Sequence, residues 1–282
     1  MTIIFDGKKL RDKILNELRL KIANFDYSKR PRLDVILVGD DPASKIYVNN
    51  KRKFADKIGI RSYVHTFNNS VSEDAIIKKI KEFNEDKSVT AILVQLPLPE
   101  HINKYKVINA ISPQKDVDGL TDYNKMKLYS GGTPFVYPCT PKGVIKILDE
   151  NNIKIEGKHA VVIGRSDLVG RPLAQMLLNR NATVTVCHSK TESLSNITKT
   201  ADILISAVGK KLIGENMIKS GCVVIDVGIF KDENDQTTGD VDFGKVKSNA
   251  DFITPVPGGV GPMTIASLMS NTLELYNKSS RL

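Results

Sequence analysis

Four runs of the chain are apolar almost without interruption: "RLDVILVGD" (32–40), "TAILVQLPLP" (90–99), "KHAVVIG" (158–164) and "CVVIDVG" (222–228). A strand with one face in water alternates apolar and polar residues, whereas a strand covered on both faces does not. Around these runs the spacing predicts helices over 43–58, 72–85, 141–150, 169–179, 191–199 and 263–277, with another in "KKLRDKILNELRLKI". Further strands are predicted at "IRSYVHTF", "ATVTVC" (182–187) and "ADILISAVG" (201–209). Such alternation specifies parallel sheet covered by helices. The Pro/Gly-rich interval 112–143 has little periodicity and contains a domain joint. The expected fold class is α/β, with two αβ domains and a cleft between them. Sites in open parallel sheets lie beyond the carboxyl ends of strands, which directs attention to the loops after residues 37, 95, 163, 187, 206 and 227.

Charge narrows the ligand class. The net charge is +9, but the lysines are dispersed rather than gathered in an arm, which favours an anionic small molecule over nucleic acid. Three scattered cysteines (Cys139, Cys187, Cys222) make no disulfide framework, and the four histidines form no metal spacing. The opening "MTIIFDGKKLRDKI" acquires charge at Asp6 and Lys8 before a signal-peptide core, and no apolar run reaches membrane-spanning length. A soluble, cytoplasmic protein without a metal is expected, with no nucleic-acid or membrane partner.

In the second half, "VVIGRSDLVGRPLAQMLL" (161–178) reads as a strand, a tight glycine turn and a helix. Gly164 suits the turn and Gly170 permits close helix–strand packing, so the helix-start amides can face a pyrophosphate. Ser166 stands where the usual G-x-G fingerprint has its middle glycine, and a plain strand–helix turn fits the same spacing. The next strand runs out in "CHSKT" with no carboxylate before Glu192. Arg165, Ser189 and Lys190 there suit the extra phosphate of NADP, while a solvated loop remains the other reading. Cys187 and His188 are adjacent on a strand and point to opposite faces, which favours structural roles over a catalytic pair.

A helical wheel through 45–58 places Tyr47, Val48, Phe54, Ala55 and Ile58 within one arc of about 120°. Lys51 lies near the centre of that arc, whereas Lys45, Arg52, Lys53 and Lys57 lie outside it. Snorkelling accounts for a lysine in an apolar face. The alternative is an amine held at the rim of a core with a phenol one turn away. Burial or a neighbouring cation favours the neutral form of an amine, and a neutral amine can act as a base.

Read together, the motifs closely resemble those of the bifunctional methylenetetrahydrofolate dehydrogenase/cyclohydrolase family. The matching pieces are "VGDDPASKIYVNNKRK", "VQLPLP", "PQKDVDG", "PCTPKG", "VVIGRSDLVGRP", "VTVCHSKT", "GDVDF" and "TPVPGGVGPMT", in family order over nearly the whole chain. The resemblance implies a folate-binding catalytic domain over 1–139 plus a returning C-terminal helix (about 263–282), and a Rossmann-like NADP-binding domain over 140–262. It implies Lys51 as the essential lysine, Gln95 as its partner, Asp118 on the pterin ring and Tyr47 against the substrate. Pro257, Gly258 and Gly259 would help shape the pockets, and Gly164, Arg165, Ser166, Ser189 and Ile229 would contact NADP. It further implies tetrahydrofolate derivatives as ligands and a homodimer. One departure is Met126, where the family usually carries glycine.

That chemistry explains an absence. Oxidising a methylene bridge between two nitrogens needs no base, because hydride loss leaves a delocalised cation, so orientation supplies much of the rate. Hydrolysis of the methenyl product does need proton transfer, the part implied for Lys51. Another nicotinamide-dependent dehydrogenase, a nucleotide-sensing regulator and a descendant that has lost the cyclohydrolase are the competing readings.

Overall fold

A computed structural model describes residues 2–279. The chain opens on a short strand, β1 (Ile3–Ile4), and helix α1 (Gly7–Ala23). Then come β2 (Arg32–Val38), α2 (Pro42–Ile58), β3 (Arg61–Phe67), α3 (Glu73–Glu85), β4 (Ala91–Val94), α4 (Lys104–Asn109) and α5 (Asp122–Tyr129). They are followed by α6 (Cys139–Glu150), β5 (His159–Ile163), α7 (Gly170–Leu178), β6 (Thr183–Cys187), α8 (Leu194–Thr198) and β7 (Ile203–Ser206). The last are β8 (Cys222–Asp226), β9 (Phe230–Lys231), β10 (Thr237–Thr238), α9 (Phe243–Val246), β11 (Ala250–Ile253) and α10 (Val260–Ser279).

Two compact units result, one of residues 13–139 and 265–279, the other of residues 2–12 and 140–264. The first holds a three-stranded sheet in the order β3-β2-β4, parallel throughout. Alternate side chains of β2 enter two separate cores. Leu33, Val35 and Leu37 join Val48, Ala55, Ile58 and the α10 residues Leu268, Met269 and Leu273. Ile36 and Val38 join Ile76, Ile80 and Phe83 of α3. β4 divides in the same way, Ala91 and Leu93 to one core and Ile92 and Val94 to the other. Burial on both faces is why these strands read as unbroken apolar runs. The exception is Asp34, wholly buried in β2, whose carboxylate takes a forked pair from Arg32 at 2.7 and 2.9 Å and lies 2.7 Å from His65 Nε2.

The second unit holds a six-stranded sheet in the order β1-β11-β8-β7-β5-β6, with every pairing parallel. Residues 2–12, expected with the first unit, lie here instead. β1 pairs with β11, and Phe5 N and Gly7 N then donate to Ile253 O and Gly258 O at 3.0 and 2.9 Å. A two-residue strand carries no periodicity that a sequence pattern could register. Within the interval of little periodicity lies α5, which buries only Asn124 and Leu128 and so shows no apolar stripe. Met126 sits within α5, 63% exposed, where the backbone needs no glycine. No helix among the described residues is long and apolar enough to cross a membrane.

Ile36 tests the doubly covered strand. Ile36→Ala removes a wholly buried side chain and should lower the unfolding free energy by about 2–5 kcal/mol in urea titrations. A loss below about 1 kcal/mol would contradict a tightly packed core there.

Candidate functional site

Lys51, Gln95 and Asp118 come together in the three-stranded unit. α2 starts with Pro42 in its first turn and Asp41 capping it, the carboxylate accepting from Ser44 N at 2.7 Å. It stops at Gly59, whose left-handed backbone (φ 88°) returns its N–H to Ala55 O and Asp56 O. Between those ends, Ser44, Val48, Ala55 and Ile58 form the buried stripe. Lys51 stands in that stripe, half-buried, one turn from Val48 and from Ala55. Its Nζ donates to Gln95 Oε1 at 3.0 Å.

Gln95 is the residue after β4, and its N–H still bonds Ile36 O at 2.9 Å. Its Nε2 donates to Leu96 O at 2.6 Å, which leaves Oε1 turned to the lysine. Tyr47, one turn before Lys51, is 48% exposed.

Asp118 arrives from a different segment. Ile92 N donates to Lys115 O at 2.7 Å and a parallel bridge pairs Ile92 with Asp116, so the chain runs on towards the end of β4. Asp116 is buried and accepts from Thr121 N and Asn124 Nδ2 at 2.8 and 2.9 Å, which closes the turn around Asp118. Gly119 has φ +66° and its missing Cβ would lie 2.8 Å from Val136 O, so no side chain fits there. Asp118 keeps partial solvent access as a residue, but its carboxyl is enclosed. Burial pushes that carboxyl up, the Lys51 charge and a hydrogen bond from Cys139 pull it down, and Asp116 adds to the rise. Lys51 is thus the counter-charge of Asp118 as well as the donor to Gln95.

In the six-stranded unit, Gly164, Arg165 and Ser166 form the turn from β5 to α7. Gly164 has φ +115°, and a Cβ would meet Ala207 O at 2.5 Å. A Cβ on Gly170 would meet Gly164 O at 2.1 Å, so both glycines serve close backbone packing. Ser166 Oγ accepts from Val169 N at 3.2 Å and Gly170 N at 3.5 Å, which caps the helix start without a middle glycine. Ser189 and Lys190 are exposed just beyond β6, and Ile229 is 51% exposed just beyond β8. A glycine turn opening a helix, with exposed hydroxyl and cationic groups at neighbouring strand ends, fits a phosphorylated dinucleotide. Pro257, Gly258 and Gly259 lie between β11 and α10, where Gly258 has φ +107° and accepts from Gly7 N.

Two residues weighed as a catalytic pair have other work. Cys187 is buried, which pushes its thiol up and disfavours the thiolate. His188 Nδ1 accepts from Lys190 N and His188 N donates to Thr191 Oγ1, both within the turn after β6. Among the described residues no group of His, Cys, Asp and Glu could hold a metal ion.

Sequence reading missed two buried carboxylates. Asp240 accepts from Ser206 Oγ, Val208 N and Lys210 N at 2.7, 2.8 and 2.9 Å. Asp226 accepts from Gly228 N, Asp240 N and Val241 N at 3.0, 3.0 and 2.9 Å. Together they hold the loops beyond β7 and β8, and a Cβ on Gly228 would strike Asp240 Oδ1 at 1.9 Å. The available signal was a carboxylate closing an apolar run at a strand's carboxyl end, "CVVID".

An α/β chain with a glycine-turn parallel sheet in one unit and, in the other, a helix lysine bonded to a glutamine at a strand end has the parts of a nicotinamide-dependent enzyme. Comparison with known proteins is specific. Residues 5–118 match the catalytic domain, and residues 138–280 the NAD(P)-binding domain, of tetrahydrofolate dehydrogenase/cyclohydrolase. The chain belongs to the tetrahydrofolate dehydrogenase/cyclohydrolase family. It is 50% identical over 273 residues to the bifunctional protein FolD of Listeria innocua serovar 6a, covering 96% of each. The crystal structure of the bifunctional enzyme FolD from Campylobacter jejuni is similar over 100% of both chains, with 46% identity and a TM-score of 0.95. The Trypanosoma brucei enzyme, complexed with NADP cofactor and inhibitor, is 36% identical with a TM-score of 0.95, over 100% of this chain and 99% of its own.

Asp226 makes a pH prediction. Burial, the largest cause, pushes its carboxyl up to about 7 from the ordinary 3.8. The folded chain therefore holds a proton that the unfolded chain has lost, so this contribution is full below about pH 4 and disappears as pH rises through about 7. Asp226→Asn lacks it, and its unfolding free energy should change less between about pH 5 and about pH 7.5 than that of the unaltered chain. Equal pH slopes in urea titrations would refute the assignment.

Proposed function

We propose that the chain oxidises 5,10-methylenetetrahydrofolate with NADP and hydrolyses the methenyl product to 10-formyltetrahydrofolate. The observation that carries the reading is the 3.0 Å bond from Lys51 Nζ to Gln95 Oε1, with Asp118 close enough to feel the lysine's charge. The acid can accept the donors along a pterin edge, and Tyr47 supplies an aromatic surface one turn from the amine. Gly164, Arg165, Ser166, Ser189 and Ile229 would hold NADP, with Arg165 and Ser189 on the extra phosphate. Pro257, Gly258 and Gly259 are assigned to substrate binding on the family resemblance. When bound, the nicotinamide supplies the hydride acceptor.

The chain's own contribution to oxidation is orientation, since loss of hydride from a carbon between two nitrogens leaves a cation that both nitrogens share. Hydrolysis places the greater demand on side chains. Water adds to the cationic carbon and gives up one proton. The remaining hydroxyl gives up its own as the carbonyl forms and one C–N bond breaks. Of these two protons the departing nitrogen takes one, and the other leaves to solvent. In its neutral form Lys51 can accept the water's proton and return it to nitrogen, while Gln95 fixes its direction. A cytoplasmic homodimer belongs to the same reading.

An assay of the purified chain with methylenetetrahydrofolate and NADP, following reduced cofactor and methenyl decay separately, tests it. Both signals should appear. NADP reduction without accelerated decay would leave only the dehydrogenase. Lys51→Met should fold and lower methenyl hydrolysis by about 100-fold or more, the usual span for a lost general base. Near-normal hydrolysis in that variant would reject the base. Asp118→Ala should weaken folate binding and leave NADP binding in place.

A further inference from the structure

Asn271 lies in α10, wholly buried, on a helix that otherwise supplies Leu268, Met269 and Leu273 to the core. An asparagine is a poor helix former, and a buried amide is unfavourable unless it is hydrogen-bonded. A leucine at this position would suit both the helix and its neighbours. Thr272, the next buried polar residue, turns its hydroxyl back onto Leu268 O of the same helix at 2.9 Å. Asn271 instead reaches outwards. Its Nδ2 donates to Val117 O at 2.8 Å and Tyr137 O at 2.9 Å, and lies 3.4 Å from Cys139 Sγ.

Those three atoms belong to the surroundings of one carboxyl. Val117 immediately precedes Asp118. Tyr137 lies on the segment against which the next residue, Gly119, is pressed: a Cβ there would meet Val136 O at 2.8 Å, Pro138 N at 3.0 Å and Tyr137 C at 3.1 Å. Cys139 bonds Asp118 and also sits 3.6 Å from Val117 O. The segments 117–119 and 136–139 are thus packed backbone to backbone, and a single amide group clasps both from behind.

We infer that Asn271 is a positioning residue for folate binding, which holds Asp118 in place through Val117 O, Tyr137 O and the Cys139 sulfur. The inference rests on the reading of Asp118 as the folate contact. Asn271 has no exposed surface with which to touch a ligand. Its loss lets the Asp118 turn shift against the 136–139 segment, and a misplaced acceptor weakens a hydrogen-bonded ligand far more than it disturbs chemistry at another atom.

Three variants and a double substitution test this. Asn271→Leu keeps the forked four-atom side chain and suits the helix but removes both donors. Asn271→Asp puts acceptors against the two carbonyls, and Asn271→Ser restores one donor. Tetrahydrofolate and NADP dissociation constants are measured by calorimetry, and KM and kcat by cofactor reduction. Asn271→Leu and Asn271→Asp should each weaken tetrahydrofolate binding and raise the folate KM about tenfold, as expected for lost hydrogen bonds at a buried site. NADP binding should stay within about twofold, kcat should fall less than KM rises, and Asn271→Ser should lie between. Should Asn271→Leu fail to fold, Asn271→Ser carries the test alone.

Adding Asn271→Leu or Asn271→Ser to Asp118→Ala should weaken folate binding no further, because the amide acts through the acid. Additive losses, an equal loss of NADP affinity, or unchanged folate binding in the single variants would each overturn the inference. Normal folate binding by Asp118→Ala would instead overturn the reading of Asp118 itself.

Discussion

A parallel strand covered on both faces has nowhere to place a polar side chain until its covering stops. β2 and β4 divide their residues between two apolar cores, and an uncompensated polar group at any of those positions would be strongly unfavourable. Chemistry is therefore confined to the strand ends. Gln95 occupies the first position past β4 and still uses its backbone N–H on the sheet. Asp34 is the exception, and the structure surrounds it with Arg32 and His65. The same rule places Gly164 past β5 and Gly228 past β8.

Glycines and carboxylates share the work of the second sheet's loops. Gly164, Gly170 and Gly228 allow approaches that a single carbon would block. Such loops turn their N–H groups inwards, and Asp226 and Asp240 accept five of them among their six hydrogen bonds. These bonds rigidify segments that have no regular secondary structure. Rigid loops matter where a dinucleotide must be held in one orientation for hydride transfer.

Much of this was legible in the residues. The continuous apolar runs specified the doubly covered strands, and the helical wheel singled out Lys51 from its basic neighbours before any family entered the argument. Gln95 and Asp118 were legible only through the resemblance, since a glutamine after a strand and an aspartate in a turn carry no periodic signal. β1 is too short to alternate, and α5 buries an asparagine and a leucine rather than a stripe. Asn271 was invisible for a different reason. Its partners lie far away in sequence, and hydrogen bonds to backbone carbonyls leave no trace in the identity of the residues that accept them.

The pairing of Ile3 and Ile4 with Phe252 and Ile253 has a consequence for assembly. Every other strand of the fold lies between β1 and its partner β11 in sequence. Contacts of such sequence separation form late, because the loop they close must be ordered at an entropic cost. Until β1 docks, β11 is an uncapped sheet edge, with open amides and carbonyls able to recruit a stray strand. The six-stranded sheet is thus completed by a pairing between its first and last strands in sequence.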